Sequence, residues 1–220
     1  MTLLDIKNYT TGKLGITDAA ALAQADLFTK ARWRMIWNDV NWRQARYQQT
    51  LSIAAGTQDV TLDPLFEFVT AARWADTYEL MATDDISALA SNPGGYDTAG
   101  PVLAFVPLGK DSNGNAQIRL LHKADQTKNL FVIGKRKCVE LVNPTDTPLI
   151  PGADQVLCEL VMGDLYEWLR QLTKAAQFFQ KGAILLEKMK EIEMAQTAEV
   201  RRIIPTEQIL DDEPNNNWLR

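Results

Sequence analysis

The sequence has few of the side chains that carry chemistry in enzymes and metalloproteins. Among its 220 residues are one histidine, His122, and two cysteines, Cys138 and Cys158. The cysteines stand 20 positions apart with no second Cys–His pair beside them, so we expect no zinc site. Two cysteines do not make a disulfide framework either, which favours a reducing, intracellular environment.

Motifs of nucleotide-binding proteins and hydrolases are also missing. Neither G-x-x-x-x-G-K-[ST] nor G-x-G-x-x-G occurs, and no G-x-S-x-G motif accompanies His122. We therefore predict that the protein is not an enzyme, binds no cofactor and no metal, and carries His122 at a surface or a hairpin edge. Asp84 and Asp85 are adjacent, as is typical of a solvated turn, and nothing selects a catalytic pair of carboxylates.

Long apolar runs and long basic runs are absent too. No uninterrupted stretch of about 18 apolar residues occurs, so we expect no membrane span, and the N-terminus lacks the basic and apolar blocks of a secretory signal. The net charge is -5, and we expect no high-affinity DNA binding by this chain alone. Lys135, Arg136 and Lys137 stand together. A solvated strand end and a contact with an acidic partner or a nucleic-acid backbone both fit them.

Helical patterns are present towards both ends of the chain. Asp18 is the predicted N-cap of a helix that runs to about Asn38 and becomes bulky near its end. After a proline-rich segment, a second helical region begins near residue 153, and apolar residues recur on one face of it at Leu157, Val161, Leu165, Trp168, Leu172, Phe178, Leu185, Met189 and Ile192. A straight helix there would be roughly 65 Å long, and a kink or turn around residues 171–174 stays open.

Between these helical regions the pattern is that of β-strands. Ala54-Ala55-Gly56 predicts the turn of one hairpin, and Asn113-Gly114 predicts the turn of another. Residues 66–84 predict one or two strands, residues 129–141 a further strand, and residues 85–92 a short helix. The segment between the two helical regions is expected to form a compact unit of roughly six to eight antiparallel strands.

The predicted fold class is α+β. A long-helix bundle is expected from residues 1–42 and 144–202, because the first helix cannot bury its aromatic face alone. An inserted antiparallel β domain is expected over residues 43–143, and an extended C-terminal tail over residues 203–220.

The segment "RWRMIWNDVNWR" holds three tryptophans and three arginines. Trp33 and Trp37 are four residues apart and therefore share one helical face. Core packing of at least two of these tryptophans and an exposed interface hot spot are both open interpretations. The residues predicted to serve helical packing or a subunit interface are Trp33, Trp37, Leu157, Val161, Leu165 and Trp168.

The C-terminal tail combines polar residues with regularly placed apolar pairs. Pro205, Pro214 and the acidic and asparagine-rich stretches argue against a continued helix. A disordered polar tail is one interpretation. Extended segments that fold onto a partner have this pattern as well, because each apolar pair can fill a pocket while the linkers stay hydrated. The predicted partner-binding residues are Ile203, Ile204, Ile209, Leu210, Trp218 and Leu219.

Three groups of residues, in a fixed order, carry a resemblance to a known family. The first group, at the end of the first helix, is Arg32, Ile36-Trp37-Asn38 and Trp42-Arg43. The second, after the first predicted hairpin, is Leu62-Asp63-Pro64 and Phe66. The third, which leads into the C-terminal helices, is Asp146–Pro151, Leu157, Gly163-Asp164 and Tyr166. In this order they resemble head-to-tail adaptor (head completion, or neck) proteins of tailed bacteriophages. The resemblance covers nearly the whole chain, although no single motif in it is a catalytic signature.

The resemblance implies a structural role in a virion. Such adaptors assemble in the host cytoplasm into a ring, commonly of twelve copies, beneath the portal protein. The ring extends the channel through which genomic DNA passes without specific binding, and it offers a platform for tail or nozzle proteins. The C-terminal tail would reach into grooves of the portal ring. A monomeric β-domain binding module on a helical stalk, with no ring, is the alternative, and a hydrolase using His122 is a third.

Overall fold

Four α-helices and nine β-strands form from the residues that the structure, a computed structural model, describes: 1–16, 18–75, 79–82 and 97–202. The helices are α1 (Leu3–Leu14), α2 (Ala19–Asp39), α3 (Ala153–Trp168) and α4 (Leu172–Arg202). The strands are β1 (Arg46–Ile53), β2 (Asp59–Thr61), β3 (Phe66–Trp74), β4 (Glu79–Ala82), β5 (Ala99–Gly100), β6 (Ala104–Lys110), β7 (Ala116–Leu120), β8 (Lys123–Ala124) and β9 (Lys128–Arg136). The fold is therefore α+β, as predicted, and residues 203–220 lie outside the described part.

The two N-terminal helices begin at side-chain caps. The Thr2 side chain accepts a hydrogen bond from the Asp5 backbone N–H, and Asp5 accepts one from the Thr2 N–H, which makes a capping box at the start of α1. The Asp18 carboxylate accepts a hydrogen bond from the Ala21 N–H at 2.7 Å, which confirms Asp18 as the N-cap of α2. These caps satisfy N–H groups that have no partner inside the helix.

The C-terminal helical region is broken and folds back on itself. Arg170 adopts a positive φ of 58°, and α4 begins two residues later. An added Cβ at Gly163 of α3 would lie 2.5 Å from Phe179 of α4, and one at Gly182 would lie 2.5 Å from the Leu160 side chain. Position 163 thus faces 179 while 160 faces 182, so the two helices are antiparallel and closely packed. The structure therefore has a turn near residue 171, which was one of the two predicted alternatives, and the single straight helix is not formed.

The inner face of α4 differs from the predicted stripe. Over residues 172–195, for which burial is described, the buried positions are Ala175, Gly182 and Leu186, whereas Ile192 is 58% exposed. Leu172 is 66% exposed as well. The predicted continuous stripe is therefore wrong at Leu172 and Ile192, because the turn at Arg170 resets the phase of the second helix relative to the first. Trp168 is 43% exposed, since α3 ends there.

Helix α3 is the centre of the bundle, and it contacts α1, α2 and α4. Ten of its 16 residues are buried. A bidentate ion pair joins it to α2, with Arg32 Nη2 2.6 Å from Asp164 Oδ1 and Nε 2.8 Å from Oδ2. The Arg32 guanidinium also lies 5.1 Å from the centre of the Phe179 ring, which brings α4 into the same contact.

Seven strands form one sheet in the order β1-β9-β3-β4-β6-β7-β2. All neighbours are antiparallel except β4 and β6, and the short pair β5–β8 is also parallel. The predicted antiparallel arrangement is thus confirmed for the other strand pairs and is wrong at these two places. With two strands of only two residues each, the described strands number nine rather than six to eight.

One of the two predicted hairpins is present and the other is not. β6 and β7 pair across the loop of Asn113 and Gly114, where Gly114 has a φ of 77°. β1 and β2 do not pair with each other, because β1 pairs with β9 and β2 with β7. The Gly56 N–H donates to the Ala124 carbonyl at 2.8 Å, so the turn after β1 contacts β8, and β2 lies at the far edge of the sheet. The helix predicted at residues 85–92 lies outside the described residues.

Two large apolar cores result from this arrangement, and a small third cluster of Ala25, Val161 and Leu165 joins α2 to α3. One joins α1, α2, α3 and α4 around Trp33, Trp37 and Leu157, and the other lies on one face of the sheet around Phe66, Phe105 and Leu130. The predicted domain boundaries near residues 43 and 143 stay a prediction. Of the helices that the structure describes, none combines the length and apolarity needed to cross a membrane.

The Arg32–Asp164 pair gives a stability prediction. Arg32→Met should lower the free energy of unfolding by about 3 kcal/mol, because it leaves the buried Asp164 carboxylate without its cation. Adding Asp164→Leu should recover most of that loss. Arg34→Met is the matched control, since its partner Glu140 lies at the surface, and it should cost at most about 1 kcal/mol. Urea unfolding of the four chains measures these values, and equal losses for both single variants would contradict the prediction.

Candidate functional site

The six apolar residues predicted to bind a partner through the tail, Ile203, Ile204, Ile209, Leu210, Trp218 and Leu219, lie outside the described residues. The chain leads into them through α4, whose last described residue is Arg202. Their role therefore stays a prediction.

Five of the six predicted packing or interface residues are buried inside this chain. Trp33, Trp37, Leu157 and Val161 are fully buried, and Leu165 is 1% exposed. Only Trp168, at the end of α3, presents a large part of its surface to solvent. These five side chains thus pack the bundle, and the surface available to another molecule is formed by other residues.

The tryptophan-rich end of α2 attaches the sheet to the bundle. The Trp33 indole N–H donates to the carbonyl of Val139 at 2.7 Å, and the Trp37 N–H donates to the carbonyl of Arg136 at 3.1 Å. Trp42 donates to the Ile36 carbonyl at 2.7 Å and closes the turn after α2. All three rings are buried, so their indole N–H groups fix the chain where it enters and leaves the strands.

The basic cluster at the end of β9, Lys135 to Lys137, is not a solvated strand end. Lys135 is only 6% exposed, and its ammonium donates to the Val40 carbonyl at 3.2 Å. Burial lowers the pKa of Lys135. Lys137 donates to the Gly114 carbonyl at 2.8 Å, so two of the three cations bind backbone oxygens of this chain. The sequence gives no sign of this, because Val40 is 95 positions away from Lys135.

Exposed apolar side chains lie on the outer sides of α2 and α4, where sequence analysis did not place an interface. Leu27 follows the buried Ala25 by two residues and is 59% exposed, and Ile184 follows the buried Gly182 by two residues and is 50% exposed. A step of two residues turns a helix by roughly 200°, so both side chains point away from the bundle core. Further exposed residues on the helices are Leu4, Tyr9, Met35, Leu172, Ile192 and Met194. Ile184, an apolar residue that does not lie on the predicted stripe, was the available signal.

Neither cysteine is activated. Burial raises the pKa of the Cys138 thiol to about 11 and that of the Cys158 thiol to about 12. His122, which has a positive φ of 82°, lies beside Gly100, with its Cγ 3.6 Å from the position of a Cβ there. Among the described residues, no group of three or more His, Cys, Asp or Glu side chains could hold a metal ion.

Comparisons with known proteins do not assign the chain to a family. No model of a known protein family matches the sequence, and a search of curated proteins finds no significant relative.

The raised pKa values of the two thiols predict slow alkylation. At pH 8 a thiol with a pKa near 11 is ionised about a hundredfold less than one near 9, and only the thiolate reacts. Iodoacetamide should therefore label Cys138 and Cys158 in the native chain at least about a hundredfold more slowly than in urea. Peptide mass spectrometry measures both rates, and the urea-unfolded chain is the control. Rapid native labelling of Cys158 would contradict its burial.

Proposed function

We propose that this protein is a structural virion protein, a head-to-tail adaptor that forms a ring beneath a phage portal and extends the DNA channel. It would occupy the neck, between capsid and tail, and it would not be an enzyme. The observation that carries this proposal is the exposure of large apolar side chains on the outer sides of two helices of one bundle. A single-chain binding module needs no such surfaces.

A closed ring requires two different, complementary patches on each subunit, because neighbouring copies meet head to tail. The side of α4 that carries Ile184 and the side of α2 that carries Leu27 are two such patches. The tightly packed α3 between these helices supports a rigid subunit, which a ring needs to close. The fixed order of the adaptor-like residue groups supports the same role.

The net charge of the chain suits a channel for DNA. Each chain carries a formal charge of -5, so a ring of about twelve copies would be strongly negative and would repel the phosphate backbone. DNA would then pass without specific binding, provided that acidic side chains line the lumen. The sheet would face tail or nozzle proteins, and the C-terminal tail would bind the portal.

The alternative function is a monomeric β-domain binding module on a helical stalk. Native mass spectrometry of the full chain, alone and with the portal protein of the same phage, separates the two. A complex with several copies of this chain on one portal ring supports the adaptor. A chain that stays monomeric in the presence of the portal contradicts it.

A surface substitution tests the assembly patch on α4. Ile184→Asp should prevent ring formation on the portal, because it places a charge at the centre of an apolar contact. Lys188→Asp is the matched control, one turn along the same exposed side, and should leave the copy number unchanged. Native mass spectrometry counts the copies, and circular dichroism should show both variants folded. A full ring with Ile184→Asp would exclude this patch.

Truncation tests the role of the tail. A chain ending at Pro205 should stay folded and still unfold cooperatively, since the two large apolar cores consist of residues up to 189, and it should lose portal binding. In the full chain, Trp218→Ala should weaken portal binding by about 2 kcal/mol if Trp218 is a buried anchor. Binding can be measured by co-sedimentation with portal rings, and unchanged binding of the truncated chain would exclude the tail as the attachment.

A further inference from the structure

One face of the strands β1, β9 and β3 is turned away from the core of the sheet. Leu130 and Val132 of β9 point into the core, so Phe131, Ile133 and Lys135 point to the opposite face by the alternation of a strand. Two adjoining depressions open there, of about 310 Å³ and about 140 Å³, and Ile133 lines both. We refer to this pair of depressions as the β-face groove.

The smaller end of the β-face groove is apolar. It is lined by Ala71, Ala72, Phe131 and Ile133, with Arg73 at its edge. Ala71, Phe131 and Ile133 are only partly buried, and the Arg73 guanidinium lies 5.1 Å from the centre of the Phe131 ring. An aliphatic side chain would find a contact surface here.

The larger end is cationic. Its lining includes Asn41, Arg46, Thr70 and Lys135. Arg46 and Lys135 are direct partners across the β1–β9 ladder, which brings two positive charges to one place. Lys135 is held by the Val40 carbonyl at the end of α2, whereas the Arg46 side chain is exposed.

Acidic side chains are missing from the described lining of both depressions. Among the residues whose side chains the structure describes, neither Arg46 nor Arg73 has an ion-pair partner. The two carboxylates that interact electrostatically with Lys135, those of Asp39 and Glu67, each form an ion pair with another lysine. Asp39 pairs with Lys190 at 2.6 Å, and Glu67 pairs with Lys110 at 2.7 Å. Lys135 is buried, and Glu79 is the cross-strand partner of Arg73 in the β3–β4 ladder, so the exposed Arg46 is the main cation of the groove, with Lys135 beside it and Arg73 at the edge of the apolar end. This arrangement beside an apolar surface fits a segment with aliphatic residues next to acids.

The tail of the same chain contains such a segment. Ile209 and Leu210 are followed directly by Asp211, Asp212 and Glu213. Two aliphatic residues thus adjoin three acids, just as the apolar end of the groove adjoins its cationic end.

The path of α4 also brings the start of the tail within reach of the β-face groove. Glu193 of α4 accepts a hydrogen bond from the backbone N–H of Arg43 at 2.8 Å, so α4 passes beside the segment that lines the cationic end. The nine residues from Glu193 to Arg202 extend about 14 Å as a helix. The seven residues from Arg202 to Ile209 can span about 24 Å when extended, which is enough to return to the level of Arg43.

We propose that in the free chain residues 209–213 dock in cis in the β-face groove, with Ile209 and Leu210 at the apolar end and the three acids beside Arg46, Lys135 and Arg73. This interaction goes beyond the proposed ring and does not rest on it, since a chain without a ring would shelter its tail in the same way. A portal would compete with the groove for the same two aliphatic side chains.

Hydrogen exchange of the full-length chain, followed by mass spectrometry, tests the proposal. Amides of residues 209–213 should exchange at least about tenfold more slowly than an unstructured peptide. Arg46→Glu/Arg73→Glu should abolish this protection, and adding Asp211→Arg/Asp212→Arg to that variant should restore it. Lys181→Glu/Lys188→Glu, on the exposed side of α4, makes the same change in charge and should leave the protection intact.

Three results would overturn the proposal. The first is unprotected exchange of residues 209–213 in the unmodified chain. The second is protection that survives Arg46→Glu/Arg73→Glu, or that the reversed charges do not restore, because the segment would then bind elsewhere. If residues 84–86, which include Asp84 and Asp85, were protected in a way that depends on Arg46 and Arg73, that acidic stretch would be the occupant instead. The third is protection that disappears on tenfold dilution, which would assign the docking to a second copy. None of these readouts depends on a portal.

Discussion

The ion pair between Arg32 and Asp164 joins two parts of the chain that are 132 residues apart. It is bidentate, it is largely buried, and the Phe179 ring covers the guanidinium. Three helices therefore meet at one contact that admits little variation in geometry. The whole set of strands lies between these two partners in sequence, so the strands depend on this closure of the bundle for a fixed base.

The packing of α3 decides which surfaces are left for other molecules. Because α3 is buried on nearly all sides, α2 and α4 turn their inner faces to it and their outer faces to solvent. Gly163 and Gly182 bring α3 and α4 so close that any side chain there would collide with its neighbour. This fixed geometry is why the exposed Leu27 and Ile184 are good candidates for contacts between copies, whereas the buried tryptophans are not.

The features that could be predicted from the sequence are those encoded within a few residues. The cap at Asp18 and the hairpin at Asn113-Gly114 are local, and both are present. The pairing of β1 with β9 and of β2 with β7 could not be predicted, because Ala54-Ala55-Gly56 specifies a turn but not the partners of the strands on either side. The burial of Lys135 depends on the Val40 carbonyl, which only the tertiary fold brings near. A positive φ at Arg170 likewise has no signature, since a glycine would be the usual residue there.

The energetic balance of the tail suggests why one segment can have two binding places. Burial of an aliphatic side chain contributes about 1.5–3 kcal/mol, whereas fixing one backbone residue costs about 1–2 kcal/mol. For the two aliphatic side chains and the two backbone residues that carry them, these contributions are about 3–6 kcal/mol in favour of docking and about 2–4 kcal/mol against it. The partly exposed charge pairs add little, so docking is favoured by a few kcal/mol at most. Docking in a shallow groove is therefore weak. A partner with deeper pockets for Ile209 and Leu210 would displace the segment from the groove with little loss of free energy. Weak docking in the free chain is therefore compatible with tight binding to a partner after assembly.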